Sequence, residues 1–160
     1  MRLTPTKKVR ALAQRYAEMT LTLHSTAVFL ERLQSYSPLP PAHLQHIGNL
    51  YSFNATTNAE LRYRFYELAL LDPLTPEAHS LAREAANWVV GNDGTGIVKG
   101  RMKFCRPVLR AANRANPSVT KDIFTMHKAS FHPIAKRLIE KVHELSIFAI
   151  SWTESFIYRT

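Results

Sequence analysis

The stretch Gly100-Arg101-Met102-Lys103-Phe104-Cys105-Arg106-Pro107 places three cations within six positions, between a glycine-rich break and the start of an apolar periodic run. Residues two apart point in different directions on a helix but share a side on an extended segment. Pro107 suits the first position of a helix and biases Arg106 away from helical geometry. The expectation is therefore that Arg101 and Lys103 lie side by side on a short extended lead-in, with a helix opening at Pro107. Two cations beside unpaired backbone N–H groups form a receptor for a carboxylate or a phosphate. The competing reading is a set of solvated cations on the surface of a basic protein.

Other chemistry is poorly supported. Among seven histidines, His43 and His46 are three apart and His127 and His132 flank a turn. The zinc peptidase helix H-E-x-x-H, which sets two ligands and a glutamate base on one face, occurs nowhere in the chain. Cys105 is the single cysteine. No dedicated base marks it as a nucleophile, and a buried inert thiol is expected. Lys99 follows the loop Gly91-Asn92-Asp93-Gly94-Thr95-Gly96, but the phosphate-loop pattern G-x-x-x-x-G-K-[ST] is not met. An exposed loop is expected there.

The 160 residues amount to one domain with a sizeable core, and 46% hydrophobic against 21% charged content is ordinary for a globular chain. One cysteine suits a reducing, cytoplasmic setting. No uninterrupted apolar run approaches about 18 residues, so no membrane span is expected. The net charge of +9 suits nucleic acid, an anionic surface or an acidic partner. Its distribution is uneven. Five cations (Arg2, Lys7, Lys8, Arg10, Arg15) precede the first acid, Glu18, and Gly94 to Lys121 holds seven cations and no acid.

The elements that must position these residues read as helices. Thr4-Pro5 opens a first, with Val9, Leu12, Ala13 and Tyr16 on one stripe. A second runs from about His24 to Ser35, ended by the prolines at 38, 40 and 41. A third runs from about Pro41 to Tyr51. Thr57-Asn58-Ala59-Glu60 has capping-box spacing and precedes a helix with Leu61, Phe65, Leu68 and Ala69 inward. Thr75-Pro76 opens another, with Gly91 as its stop, and the short link predicts a hairpin of these two. Phe104, Val108, Leu109, Ala112 and Ala115 mark the helix after the basic stretch. Asn116-Pro117 and His132-Pro133 open two more. The order predicts an all-α protein of about eight short helices stacked as an armadillo-like right-handed superhelix.

Gly100 to Pro107 resembles the signature of the C-terminal helical domain of leukotriene A-4 hydrolase/aminopeptidase. His127-Lys128-Ala129-Ser130-Phe131-His132-Pro133 resembles a second motif of that domain. Leu50-Tyr51-Ser52-Phe53-Asn54, followed by Asn58-Ala59-Glu60-Leu61-Arg62-Tyr63-Arg64, resembles a third. The resemblance covers roughly Leu23 to Val142. It divides the chain into a basic N-terminal helix or extension (1–22), the helical domain (23–145) and a C-terminal tail (146–160).

The resemblance implies a full enzyme that is a zinc aminopeptidase and epoxide hydrolase, with this helical domain last and forming one wall of the substrate cleft. It implies that Arg101 and Lys103, with Met102 between them, bind the carboxylate of a peptide or fatty-acid epoxide. The partner implied is a catalytic domain of the same enzyme type, which would carry the zinc. No catalytic residue, metal ligand or cofactor is expected in this chain. The Gly91 to Val98 loop looks like an insertion just before the basic motif, which bears on the register of Arg101. The alternative is a freestanding basic helical module that binds nucleic acid or a protein partner. Nucleic acid is disfavoured because the cations do not read as lying on one long helix and no recognised binding motif appears.

Overall fold

In the computed structural model, residues 23–36 and 38–142 are described; the expected helix over Thr4 to Tyr16 and both terminal segments lie outside them. The described residues are helical, without strands: α1 Leu23–Gln34, α2 Pro41–Leu50, α3 Ala59–Ala69, α4 Pro76–Val90, α5 Met102–Ala115 and α6 Pro117–His127. A 3₁₀ turn, Lys128–Ser130, leads into a further helical segment, α7, over residues 133–142. The all-α expectation holds.

Local chemistry sets most boundaries. Pro41 and Pro76 occupy first-turn positions, where a missing N–H costs nothing. The Thr75 side chain accepts from the Ala78 N–H, and Asn116 does the same for Val119 at the head of α6. One cap differs from expectation. Asn58, not Thr57, caps α3, its side chain accepting the Glu60 N–H at 2.9 Å. Both residue types can cap, and the choice between neighbours falls to the loop geometry that delivers them.

Two apolar clusters meet on α3. Phe65, Leu68 and Ala69 join Leu30 of α1 and Phe53 of the α2–α3 turn. Tyr63, Tyr66 and Leu70 join the larger cluster built by α4, α5, α6, Phe131 and α7. A chain of rings, Phe29, Tyr51, Phe53 and Phe65, runs through the smaller cluster with centroids 5.3–5.6 Å apart. The hairpin expectation needs adjustment. α3 touches α4 but buries more against α1 and α5, while α4 packs chiefly on α5 and α6. Connection length sets which helices are near, whereas the apolar stripes set which ones pack.

The Gly91 loop is tied down. Gly91 takes φ 81° as the C-cap of α4, and the Asn92 N–H returns to the Asn87 carbonyl at 2.8 Å. Asp93 accepts from the Thr95 N–H, and the Lys99 N–H donates to the Val89 carbonyl at 2.8 Å. The Lys99 ammonium lies 5.4 Å from the Trp88 ring centroid and 3.8 Å from Asp93 Oδ2. These contacts bring the chain back to the last turn of α4 before Gly100.

A Cβ at Gly91 would stand 2.9 Å from the Ile97 carbonyl carbon, whereas one at Gly94 or Gly96 would meet nothing within 4 Å. All three have positive φ. Gly94→Ala and Gly96→Ala should each lower unfolding free energy by about 1 kcal/mol, the left-handed backbone penalty alone. Gly91→Ala should cost about 2–4 kcal/mol because backbone must also shift. Urea denaturation midpoints of the three variants check the ranking.

Candidate anion-binding site

The basic stretch folds differently from the extended lead-in. The helix opens at Met102, five residues before Pro107, which lies inside α5. Arg101 is the N-cap, with extended φ −65° and ψ 130°, and Lys103 is already helical. The two cations therefore do not share a side. The apolar stripe decides the matter. Cys105, Val108, Leu109 and Ala112 are all fully buried, at i, i+3, i+4 and i+7, and Met102 and Phe104 pack against the same cluster. Extending the helix back through Cys105 buries these side chains despite the proline.

Arg101 is exposed, and no ion pair to it exists among the described residues. Its carbonyl accepts from the Phe104 and Cys105 N–H groups at 2.9 and 3.0 Å. The N–H groups of Met102 and Lys103 have no partner among the described residues. Together with the positive end of the α5 dipole, this terminus has the open donors that an anion would need, with a guanidinium at its cap. Met102 is half-buried and anchors the first turn to the core.

Lys103 is engaged elsewhere. Its Nζ lies 2.7 Å from Glu60 Oε1, whose other oxygen accepts from Arg64 Nη1 at 2.8 Å. Arg64 in turn reaches Glu31 Oε1 through Nε at 2.7 Å, donates to the Glu60 carbonyl at 2.7 Å and lies 4.6 Å from the Tyr63 ring centroid. The network thus joins α1, α3 and α5. Sequence reasoning missed it. The Glu60–Arg64 spacing of four was a readable signal for one of its links. The links to Glu31 and Lys103 cross 33 and 43 residues and leave no local trace.

The other candidates gain no support from the structure. Cys105 is fully buried and burial raises its thiol pKa, so a thiolate is disfavoured. His43 and His46 are both exposed on α2. No group of three or more His, Cys, Asp or Glu among the described residues could hold a metal ion. The described residues therefore do not fit a zinc centre. An open cleft of about 510 Å³ lies elsewhere, lined by Leu44, Gln45, Phe65, Leu81, Glu77 and Glu84 among others. None of Arg101, Met102 and Lys103 lines it. With carboxylates at its wall it is no anion receptor.

The Glu60 carboxyl is held below its ordinary value of 4.5, first by the hydrogen bond from Lys103 and then by that from Arg64, against an opposing desolvation. A depressed folded-state pKa means that the unfolded chain binds the proton more readily. The stabilisation is present above 4.5 and is lost as pH falls through the lower folded value. Glu60→Gln should therefore be less stable than the parent chain near neutral pH, with the gap closing in acid. Denaturant unfolding followed across pH checks this.

The comparisons with known proteins agree with this architecture. A family model described as "Leukotriene A4 hydrolase, C-terminal" matches residues 21–143. Leucine aminopeptidase 2 of Coccidioides immitis (strain RS) is 30% identical over 125 residues, covering 76% of this chain and 18% of the relative. Leucine aminopeptidase 2 of Pyricularia oryzae (strain 70-15) is 32% identical over 115 residues, 71% of this chain and 17% of the relative. The chain thus spans less than a fifth of the length of these relatives. A match over most of the chain carries one conclusion: the chain belongs to the leukotriene A4 hydrolase C-terminal domain family.

Proposed function

We propose that this chain acts as the helical wall of the substrate cleft in a zinc aminopeptidase and epoxide hydrolase of the leukotriene A-4 hydrolase type. In this reading its helices stack as an armadillo-like right-handed superhelix against a catalytic domain that supplies the zinc, in the cytoplasm. The Arg101 cap receives the free carboxylate of a peptide or fatty-acid epoxide. The observation that carries the reading is the exposed Arg101, without an ion pair among the described residues, beside the open N–H groups of Met102 and Lys103. Met102 fixes the first turn. Lys103 contributes less, because its ammonium is already paired with Glu60. No catalytic side chain is assigned here.

The test joins the chain to a catalytic portion of the same enzyme type, by fusion or mixing. Arg101→Ala should lower kcat/KM for peptides with a free C-terminal carboxylate about tenfold to a hundredfold, the worth of one charge-assisted contact. Lys103→Ala should cost less. Peptides with an amidated C-terminus should barely respond to either change. Equal losses on free-acid and amidated peptides would end the carboxylate reading.

One observation favours a second reading. It is that the chain binds nucleic acid through a basic face of α5. Arg106, Arg110 and Arg114 are all exposed at four-residue spacing along the 14-residue α5. Such a line suits a polyanion. If it neutralises three phosphates, log affinity for duplex DNA should fall against log salt with a slope of about −2.7. Replacing all three arginines with glutamine should abolish that slope. No duplex binding at physiological salt would leave only the first reading.

A further inference from the structure

We infer that the open cleft bounded by α2, α3 and α4 is a docking groove for the chain's own basic segment 1–22, received as an amphipathic helix. Neither the cleft nor that segment enters the carboxylate-binding reading, so the two stand or fall separately. The cleft, of about 510 Å³, has Phe65 and Ala69 of α3 as its apolar floor, with Leu44 of α2 and Leu81 of α4 half-buried at its sides. Glu77 and Glu84 stand exposed on the α4 wall. Glu77 has no ion pair among the described residues. Glu84 meets the Tyr66 hydroxyl at 2.9 Å and Arg62 Nη2 at 3.5 Å, both through Oε1, which leaves Oε2 facing outward for a cation.

Charge and spacing choose the occupant. Glu77 and Glu84 are seven apart, two turns of α4, so they share a face about 10 Å apart with Leu81 between them. Segment 1–22 carries five cations, Arg2, Lys7, Lys8, Arg10 and Arg15, against the single acid Glu18. Lys8 and Arg15 are also seven apart, and at helical spacing they border the apolar stripe of Val9, Leu12, Ala13 and Tyr16. A helix laid in the cleft sets that stripe on Leu44, Phe65 and Leu81 and brings the two cations to the two carboxylates. The tether is long enough. Leu30 of α1 shares a cluster with Phe65 and Ala69, and Leu23 lies seven residues, about 10 Å, further back. Residues 17–22 span up to about 20 Å when extended. The C-terminal segment 143–160 lacks this complementarity, with Glu144 and Glu154 against Arg159.

The test uses the full 160-residue chain with a nitroxide attached at Ala11→Cys, a position opposite the apolar stripe at helical spacing. Cys105 is fully buried and takes no label. NMR line broadening of backbone amides, referenced to the chemically reduced label, then reports where the segment rests. Broadening should centre on Leu44, Leu81 and Glu84 rather than on Met126 and Ile134, exposed apolar residues of α6 and α7. Glu77→Gln with Glu84→Gln removes two exposed ion pairs and should lower the docked-to-free ratio about twofold to thirtyfold. Lys8→Gln with Arg15→Gln should give the same loss while leaving every cleft residue in place. All four changes together should cost no more than either pair.

Even broadening along the chain, no broadening, or broadening centred on Met126 and Ile134 overturns the inference. Unchanged broadening in both paired variants also overturns it, because charge would then not choose the occupant. So does a fourfold variant whose loss equals the sum of the two pairs, since the two sets of residues would then act independently. A mixture of nitroxide-bearing chain with isotope-labelled chain lacking the nitroxide separates tethered docking from exchange between copies. Cleft broadening in that mixture as strong as within one chain would give the groove to a second copy and end the intramolecular assignment.

Discussion

Helix α3 is buried from two sides, and most of the arrangement follows from that. One face carries Phe65, Leu68 and Ala69 into the smaller cluster and the other carries Tyr63, Tyr66 and Leu70 into the larger one. A short helix with two apolar faces has little room left for polar side chains, and each of them must find a partner at the edge. The Tyr66 hydroxyl donates to Glu84 at 2.9 Å and accepts from Arg62 Nε at 3.0 Å. Arg64 and Glu60 occupy the other edge, facing α1 and the head of α5. The ionic network is therefore a consequence of how α3 is buried, and it delivers a carboxylate beside Lys103.

The start of α5 is settled by a contest between backbone and core. Proline inside a helix costs about 3 kcal/mol or more, through a lost hydrogen bond and a ring clash. Against this, a fully buried apolar side chain contributes about 1.5–3 kcal/mol. Cys105 is fully buried, Met102 and Phe104 are half-buried, and Phe104 also meets Tyr63 at 5.4 Å between ring centroids. Together these are comparable with the proline penalty, and the helix grows back to Met102. The extra turn moves the free N–H groups from the residues after Pro107 to Met102 and Lys103. It also turns the two cations apart, so that one caps the helix and the other reaches α3.

Helix positions were legible because capping and periodicity are local. Thr75-Pro76, Asn116-Pro117 and Gly91 announced boundaries within a few residues, and Leu61, Phe65, Leu68 and Ala69 announced an inward stripe. The position of Arg101 beside a helix terminus was also readable. Where the sequence misled, two local signals competed. Pro107 marked a helix start by its own chemistry, while the stripe from Met102 to Ala115 marked an earlier one, and only burial could rank them. The pairing of α3 with α1 and α5 was hidden for a different reason. Contacts between helices far apart in sequence depend on which faces meet, and no spacing rule reports that.

Under the proposed reading, the same ranking lets an exposed arginine serve as a defined receptor. A solvated cation on a mobile loop loses much of its binding free energy to ordering. Arg101 is spared most of that loss. On its N-terminal side, Gly91, the Asp93 turn and the Lys99 N–H pin the chain to the last turn of α4. On its C-terminal side, Met102, Phe104 and Cys105 fix α5 in the core. The backbone donors beside it are therefore oriented before any anion arrives, and only the arginine side chain remains to be ordered. Preorganisation of this kind would separate a binding cap from a surface charge, and here it comes from the apolar core on one side and from loop hydrogen bonds on the other.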